Sequence, residues 1–282
     1  MKRLFCALFA CAAMLVGCGD DDSDFATRPD GKGSSSSVAP GSNGGSEDFD
    51  APVKPCKTED ADNCEYGTLV DERDGQVYKT VKIGDQEWMA ENLNFVTDSS
   101  YCYKYSTDSC AKYGRLYLWS SAMDSAGTWS TNGQGCGSNP PCSPIYPVQG
   151  ICPQGWHLPD TTEWAALFTA VGGIRNDEKG WQWDGVGKKL KSETDWKTED
   201  FFGQIVDGGN GADAYGFYAL PAGFKYSDGD YINEGETASF WTSNPDDFNN
   251  AYNVELPYCF NYARMINAYG APWQSVRCVK DE

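Results

Sequence analysis

The placement of twelve cysteines constrains this 282-residue chain more than any other feature. Cys6, Cys11 and Cys18 fall in an N-terminal segment built like a secretory leader. Lys2 and Arg3 give it a positive start, Leu4 to Val16 is apolar, and the small Gly17 stands just before Cys18. The apolar run is too short to cross a bilayer as a helix of the mature protein. Nine cysteines lie beyond it: Cys56, Cys64, Cys102, Cys110, Cys136, Cys142, Cys152, Cys259 and Cys278. An exported chain folds where thiols oxidise, so these predict disulfides. Close spacing suggests the local pairs Cys56–Cys64, Cys102–Cys110 and Cys136–Cys142. Sequence leaves the connectivity of the rest open, and an odd number leaves one thiol over. A zinc site is disfavoured, since no CxxC pair occurs and His157 is the only histidine.

Leu15-Val16-Gly17-Cys18 resembles the lipobox of bacterial lipoproteins, which implies cleavage before Cys18 and a lipid on it. The expected organisation is a signal peptide over 1–17, then the lipidated Cys18 and a disordered polar tether over 18–55. A small cysteine-bracketed lead-in over 56–65 and a globular domain over 66–282 follow. Asp20-Asp21-Asp22, Ser34 to Ser37 and the Gly-rich stretch from Gly41 to Gly45 offer almost nothing to bury, hence the tether. The acidic run reads either as a surface-export address or as plain solvation. The chain is expected at the outer membrane or cell surface, with the membrane as a partner through the lipid anchor.

Charge narrows the partners. Lys and Arg number 22 and Asp and Glu 41; Lys2 and Arg3 leave with the leader, so the mature chain carries −21. Such a surface repels phosphate backbones, and nucleic acid is not expected as a partner. Polar neutral ligands and weak cation binding suit it better. The 10 Trp and 16 Tyr are many for an acidic chain. Most should be core, because rings dominate burial.

Local patterns read as short strands and few helices. Thr68 to Val70, Gln76 to Ile83 and Gln86 to Met89 form a meander punctuated by Asp74-Gly75 and Gly84-Asp85. Tyr117 to Met123 suggests a short helix, and Gly127 to Pro147 a long loop pinned by Cys136–Cys142. The clearest helix starts at Asp160, which can cap it while Glu163 reciprocates. Trp164, Leu167, Phe168 and Val171 share its apolar face, and Gly172-Gly173 ends it. A weaker helix covers Lys188 to Ser192. Further strands are predicted over Phe217 to Phe224, Ser239 to Thr242, Ala251 to Leu256 and Trp273 to Val279. The fold class is α+β.

Several longer motifs occur in order. They are Gly84-Asp85-Gln86-Glu87-Trp88-Met89-Ala90-Glu91-Asn92-Leu93, Tyr113-Gly114-Arg115-Leu116-Tyr117, and Cys152-Pro153-Gln154-Gly155-Trp156-His157-Leu158-Pro159 with Glu163-Trp164. Gly216-Phe217-Tyr218-Ala219-Leu220-Pro221-Ala222-Gly223, Phe240-Trp241-Thr242-Ser243 and Ser275-Val276-Arg277-Cys278-Val279-Lys280-Asp281 complete the series. From about Tyr66 to Asp281 the chain resembles the Fibrobacter succinogenes major paralogous domain. That family is similar to C-type-lectin-like and formylglycine-generating-enzyme-like folds, and Leu158-Pro159 with Glu163-Trp164 echoes a run of the latter. The resemblance implies a C-type-lectin-like fold with short antiparallel strands, one main helix and long disulfide-pinned loops. It also implies an exported, cell-surface domain, and a Cys152–Cys278 bridge that leaves Cys259 as the free thiol.

Three kinds of site are then weighed. The formylglycine-generating enzyme binds copper through a C-terminal cysteine pair; here only Cys259 and Cys278 could serve, and bridging Cys278 to Cys152 would abolish the pair. Calcium could be held by Asp228, Asp230 and Glu234 in one loop, or by Asp246, Asp247, Asn249 and Asn250 in another. Neither matches the EF-hand spacing, the Glu-Pro-Asn motif of sugar-binding C-type lectins is missing, and solvated turn acids are the simpler reading. No cofactor is otherwise expected. Trp129, Trp181, Trp183, Tyr226 and Tyr231 lie in polar, Gly-rich surroundings, where a ring can face solvent and stack on a sugar. No nucleophile–base–acid set can be built around a single histidine. The expectation is a binding or adhesion module for polysaccharide or another surface protein. The alternatives are a formylglycine-generating-enzyme-like oxidase using Cys259 and Cys278, or a structural envelope protein.

Overall fold

Alternating burial in Val77–Ile83 places Tyr78, Thr80, Val81 and Ile83 inside, with Lys79 and Lys82 outside. The alternation changes phase between Thr80 and Val81, so Tyr78 packs in one apolar cluster and Val81 and Ile83, on the opposite face, pack in the other. The computed structural model describes residues 51–137, 142–199, 203–205, 209–246, 251–270 and 272–282. The leader, Cys18, Asp247, Asn249, Asn250 and all of the expected tether up to residue 50 lie outside the described residues.

In chain order the strands are β1 (Tyr66–Val70), β2 (Val77–Ile83), β3 (Gln86–Met89), β4 (Ser100–Tyr101), β5 (Leu116–Tyr117), β6 (Trp156–His157), β7 (Ile174–Asn176) and β8 (Gln182–Asp184). Then follow β9 (Phe224–Lys225), β10 (Tyr231–Ile232), β11 (Thr237–Pro245), β12 (Ala251–Pro257), β13 (Tyr262–Asn267), β14 (Gln274–Ser275) and β15 (Val279–Lys280). The α-helices are α1 (Thr107–Tyr113), α2 (Trp119–Ala122), α3 (Thr161–Ala170) and α4 (Gly187–Leu190). One sheet runs β1-β2-β3-β15-β6, and a larger one runs β4-β5-β14-β11-β12-β13-β8-β7. All their pairings are antiparallel except β11 with β14. The molecule is α+β, and among the described residues no helix is long and apolar enough to cross a membrane.

α3 joins the two sheets. Its Trp164 lies 4.8 Å from Trp88 of β3 and 5.5 Å from Phe240 of β11, ring to ring. Phe168 meets Trp183 of β8 at 5.3 Å. The predicted capping box is present: the Asp160 carboxylate accepts from the N–H groups of Thr162 and Glu163, and Glu163 accepts from that of Asp160. Gly172, at φ +73°, turns the chain out of the helix. A second apolar cluster, containing Phe95, Met123, Ile151, Trp241 and Cys278, lies beside this first one.

Four disulfides close among the described residues: Cys56–Cys64, Cys102–Cys110, Cys136–Cys142 and Cys152–Cys278. Cys259 is a buried thiol outside them.

Some local readings need correcting. Phe217 to Ala222 is not a strand, and only Phe224 and Lys225 pair as one. That segment is enclosed on every side, with Phe217, Ala219 and Ala222 fully buried, so it has no sheet face to alternate. Tyr117 belongs to β5, and the helix after it begins at Trp119. The weaker helix spans Gly187–Leu190, one residue earlier than predicted at its start. α1, β7, β8 and β13 were not predicted at all. The last stretch of the expected tether is docked: the Val53 N–H donates to the Ala170 carbonyl, and the Tyr215 hydroxyl donates to that of Val53. The cysteine-bracketed lead-in is anchored likewise, through N–H groups of Cys56 and Lys57 on the Ala214 carbonyl.

Candidate functional site

Large rings left in water are costly unless something covers them, so the predicted aromatic platform can be judged ring by ring. Trp183 is 2% exposed and packs in the core against Phe168, which removes it from any platform. Tyr231 is half-buried between Tyr103 and Tyr105, at 5.1 and 5.4 Å. It helps enclose the buried Lys225, whose ammonium sits 3.9 Å above Trp273 and 4.9 Å from Tyr101. Tyr226 lies edge-on to Phe224. Trp181 is 42% exposed and stacks on Tyr252, at 5.4 Å and 11°. Tyr226 and Tyr231 share the β9–β10 hairpin, while Trp129, Trp181 and Trp183 have other ring neighbours.

Trp129 differs from the other four. It is 42% exposed and lines two clefts, of about 600 Å³ and about 390 Å³. The first is walled by the β1–β2 turn (Asp71, Glu72 and Arg73) and by Gln149 and Gln154. The second is walled by Thr97, Asp98, Ser99 and the α2 residues Ser120 and Ser121. Both volumes fall in the range of about 300–1,000 Å³ typical of small-ligand sites.

The sequence around Trp129 holds its backbone still. The nearly buried Asp124 follows α2 in a left-handed conformation, φ +52°. Its carboxylate accepts from three successive N–H groups, of Thr128 at 2.9 Å, Trp129 at 2.5 Å and Ser130 at 3.0 Å. Gly133 lets the loop lie on the Met123 carbonyl, because a Cβ there would sit 2.1 Å from that oxygen. The Cys136–Cys142 bridge and the Asn132 carboxamide, which donates to the carbonyls of Ile145 and Pro147, fix the far end.

The ring itself is backed by Phe95, edge-on at 5.5 Å, and by Arg73 at 5.1 Å. The Arg73 guanidinium carbon lies over the Phe95 ring, 4.0 Å from its centre. It donates two hydrogen bonds to the buried Asp71, at 2.8 and 2.7 Å, and one to the Ile151 carbonyl at 2.9 Å. Three of the five Arg73 N–H groups are therefore held from inside, and its charge is paired with Asp71. The result is a rigid indole set between polar walls of carboxylate, carboxamide and hydroxyl groups. Such an arrangement can stack on an apolar ligand face and exchange hydrogen bonds at its edges.

The metal and thiol candidates among the described residues do not assemble. Among the described residues no three His, Cys, Asp or Glu side chains converge as metal ligands would. Asp228 accepts from the Asp230 N–H within a turn, and Glu234 pairs with Lys104 at 3.4 Å. Asp246 is buried at the end of β11, and Asp247 lies outside the described residues. Cys278 is bonded to Cys152, so no Cys259–Cys278 thiol pair exists.

His157 has a structural setting. Its Nε2 lies 2.6 Å from Glu163 and its Nδ1 2.7 Å from Asp281. Burial pulls its pKa down, but the hydrogen bonds and charges of Glu163 and then Asp281 outweigh that, and the net shift is upward.

Sequence reasoning found Trp129 but missed Arg73, Asp124, Gln149 and Gln154. Asp124 and Asp71 each precede their partners by a few residues, a local signal of side chain capping backbone that was available. The partners of Gln149 and Gln154 across the cleft are distant in sequence, and no local signal marks them.

No curated protein and no solved structure matches the chain. Residues 81–280 match the model of the Fibrobacter succinogenes major domain (Fib_succ_major), a span that includes Trp129, the lining of the smaller cleft and half of that of the larger, but not the Asp71–Arg73 wall. That span is well over half of the 282 residues, and the chain belongs to the Fibrobacter succinogenes major domain family.

Proposed function

We propose that this is a lipid-anchored, cell-surface binding module that holds polysaccharide on the Trp129 face. One observation carries the reading: Trp129 is solvent-facing, clamped through its backbone by Asp124, and lines two clefts that also carry polar side chains. A pre-positioned ring loses little freedom on binding, so stacking is not spent on ordering the loop. The anchor through Cys18 at the outer membrane or cell surface is supported by the leader and by Leu15-Val16-Gly17-Cys18. The disulfides agree with folding in an oxidising compartment. A C-type-lectin-like core is supported by the single long helix and by the crosslink from the segment before it to the last strand.

Two experiments test the reading. Full-length protein is incubated with a panel of insoluble polysaccharides beside a Trp129→Ala variant of equal thermal stability. Retention of the parent and at least tenfold weaker retention of the variant are expected; equal retention refutes the assignment of the face. For the anchor, Cys18→Ser should move the protein from the membrane fraction to the soluble fraction and abolish incorporation of labelled fatty acid.

A further inference from the structure

We infer that the ligand is a neutral, linear glycan that crosses Trp129 and is held along internal units instead of at a chain end. This rests on the reading of the Trp129 face as the carbohydrate platform and deepens it.

Two features decide the class. The first is continuity. A site for one terminal sugar needs one pocket closed around it, whereas here the same indole lines two clefts, about 600 Å³ and about 390 Å³. A ring stacked on Trp129 is bordered by two separate clefts and not enclosed by one, which suits the middle of a chain.

The second is charge. The two clefts are lined by four carboxylates, Asp71, Glu72, Asp98 and Asp124, and by one cation, Arg73. Arg73 has committed three of its five N–H donors to Asp71 and to the Ile151 carbonyl, and its charge is paired with Asp71. Asp71 and Asp124 are likewise satisfied internally. Glu72 and Asp98 remain exposed, one in each cleft, with the carboxamides of Gln149 and Gln154 beside Glu72. A uronate, sulfate or phosphate group would enter a net negative groove whose one cation among the described residues is already paired with Asp71, and like charge rejects it. A neutral sugar instead presents hydroxyl donors, which carboxylates and carboxamide oxygens accept.

The test is affinity electrophoresis of the full-length protein through gels containing neutral polysaccharides (galactomannan, arabinoxylan, mixed-linkage glucan) or polygalacturonate. Competition follows, with oligosaccharides cut from whichever neutral polymer retards it. Retardation by a neutral polymer and none by polygalacturonate is expected, with inhibition strengthening at least tenfold from disaccharide to hexasaccharide. The exposed pair Glu72→Gln with Asp98→Asn should keep the parent melting temperature and bind polygalacturonate at least tenfold more tightly than the parent does. Retardation of the parent by polygalacturonate overturns the neutral class. A disaccharide as potent as the hexasaccharide overturns the internal, linear mode. In either case glycan binding at Trp129 stands. Retardation by no polymer at all removes the underlying reading and the inference with it.

Discussion

Arg277 is fully buried, and its guanidinium donates only to neutral acceptors: the Asn92 carboxamide and the carbonyls of Met89, Phe217 and Tyr218. It also rests on the rings of Phe217 and Phe240, at 4.6 and 5.4 Å. Burial lowers its pKa to about 9, but it stays charged at neutral pH and ties three separate stretches of chain to β15. A lysine has one donor head and no planar fork, so Arg277→Lys strands several carbonyls. With each unsatisfied buried group costing about 1–3 kcal/mol, the variant should lose on the order of 3 kcal/mol, read as a drop in the urea midpoint at unchanged slope. The motif containing Arg277 was visible in the sequence, but its role was not, because its acceptors lie about 60 and 185 positions away. The same limit separated the tryptophans. Trp129 and Trp183 sit in similar polar, Gly-rich text, yet Trp183 is enclosed against Phe168 of α3 while Trp129 is backed only in part and stays 42% exposed. Only long-range packing tells them apart.

At the scale of elements, the start of α3 shows a local rule extended by tertiary contacts. The capping box was legible because Asp160 and Glu163 are three residues apart. Asp160→Ala should cost about 1 kcal/mol in thermal unfolding. The other oxygen of Glu163 reaches His157 of β6, whose second nitrogen meets Asp281 beyond β15, and this clasp was hidden by sequence distance. Only the imidazolium can donate to both carboxylates. Its pKa is raised on folding, so its stabilisation is fully present below the unfolded value of about 6.5 and is lost as pH rises through the higher folded value. The melting-temperature difference between the parent and His157→Gln should therefore be largest near pH 6 and shrink toward pH 9, by the same linkage. A difference that grows with pH would mean that the ring works as a neutral group.

At the scale of the whole molecule, the α+β class and the first meander were readable, while the order of the larger sheet was not. β14 reaches β11 by a parallel pairing and β5 by an antiparallel one, joining segments far apart along the chain. Such neighbours leave no periodic trace. The end of the chain closes the smaller sheet as well, since Val279 pairs with both Trp88 and His157. The Cys152–Cys278 bond locks this closure across 126 residues, whereas Cys102–Cys110 spans 8. In the chain-entropy model the long loop is worth about 5 kcal/mol and the short one about 2.5 kcal/mol. Removing each pair by double alanine substitution should reproduce that ranking in urea unfolding under oxidising conditions. The two sites differ in burial, since both Cys152 and Cys278 are fully enclosed, so cavity formation adds to the loss at the long crosslink and widens the gap. Equal losses would mean that the ends of the domain are held by β15 pairing and Arg277 alone, with the bond following the fold and adding little to it.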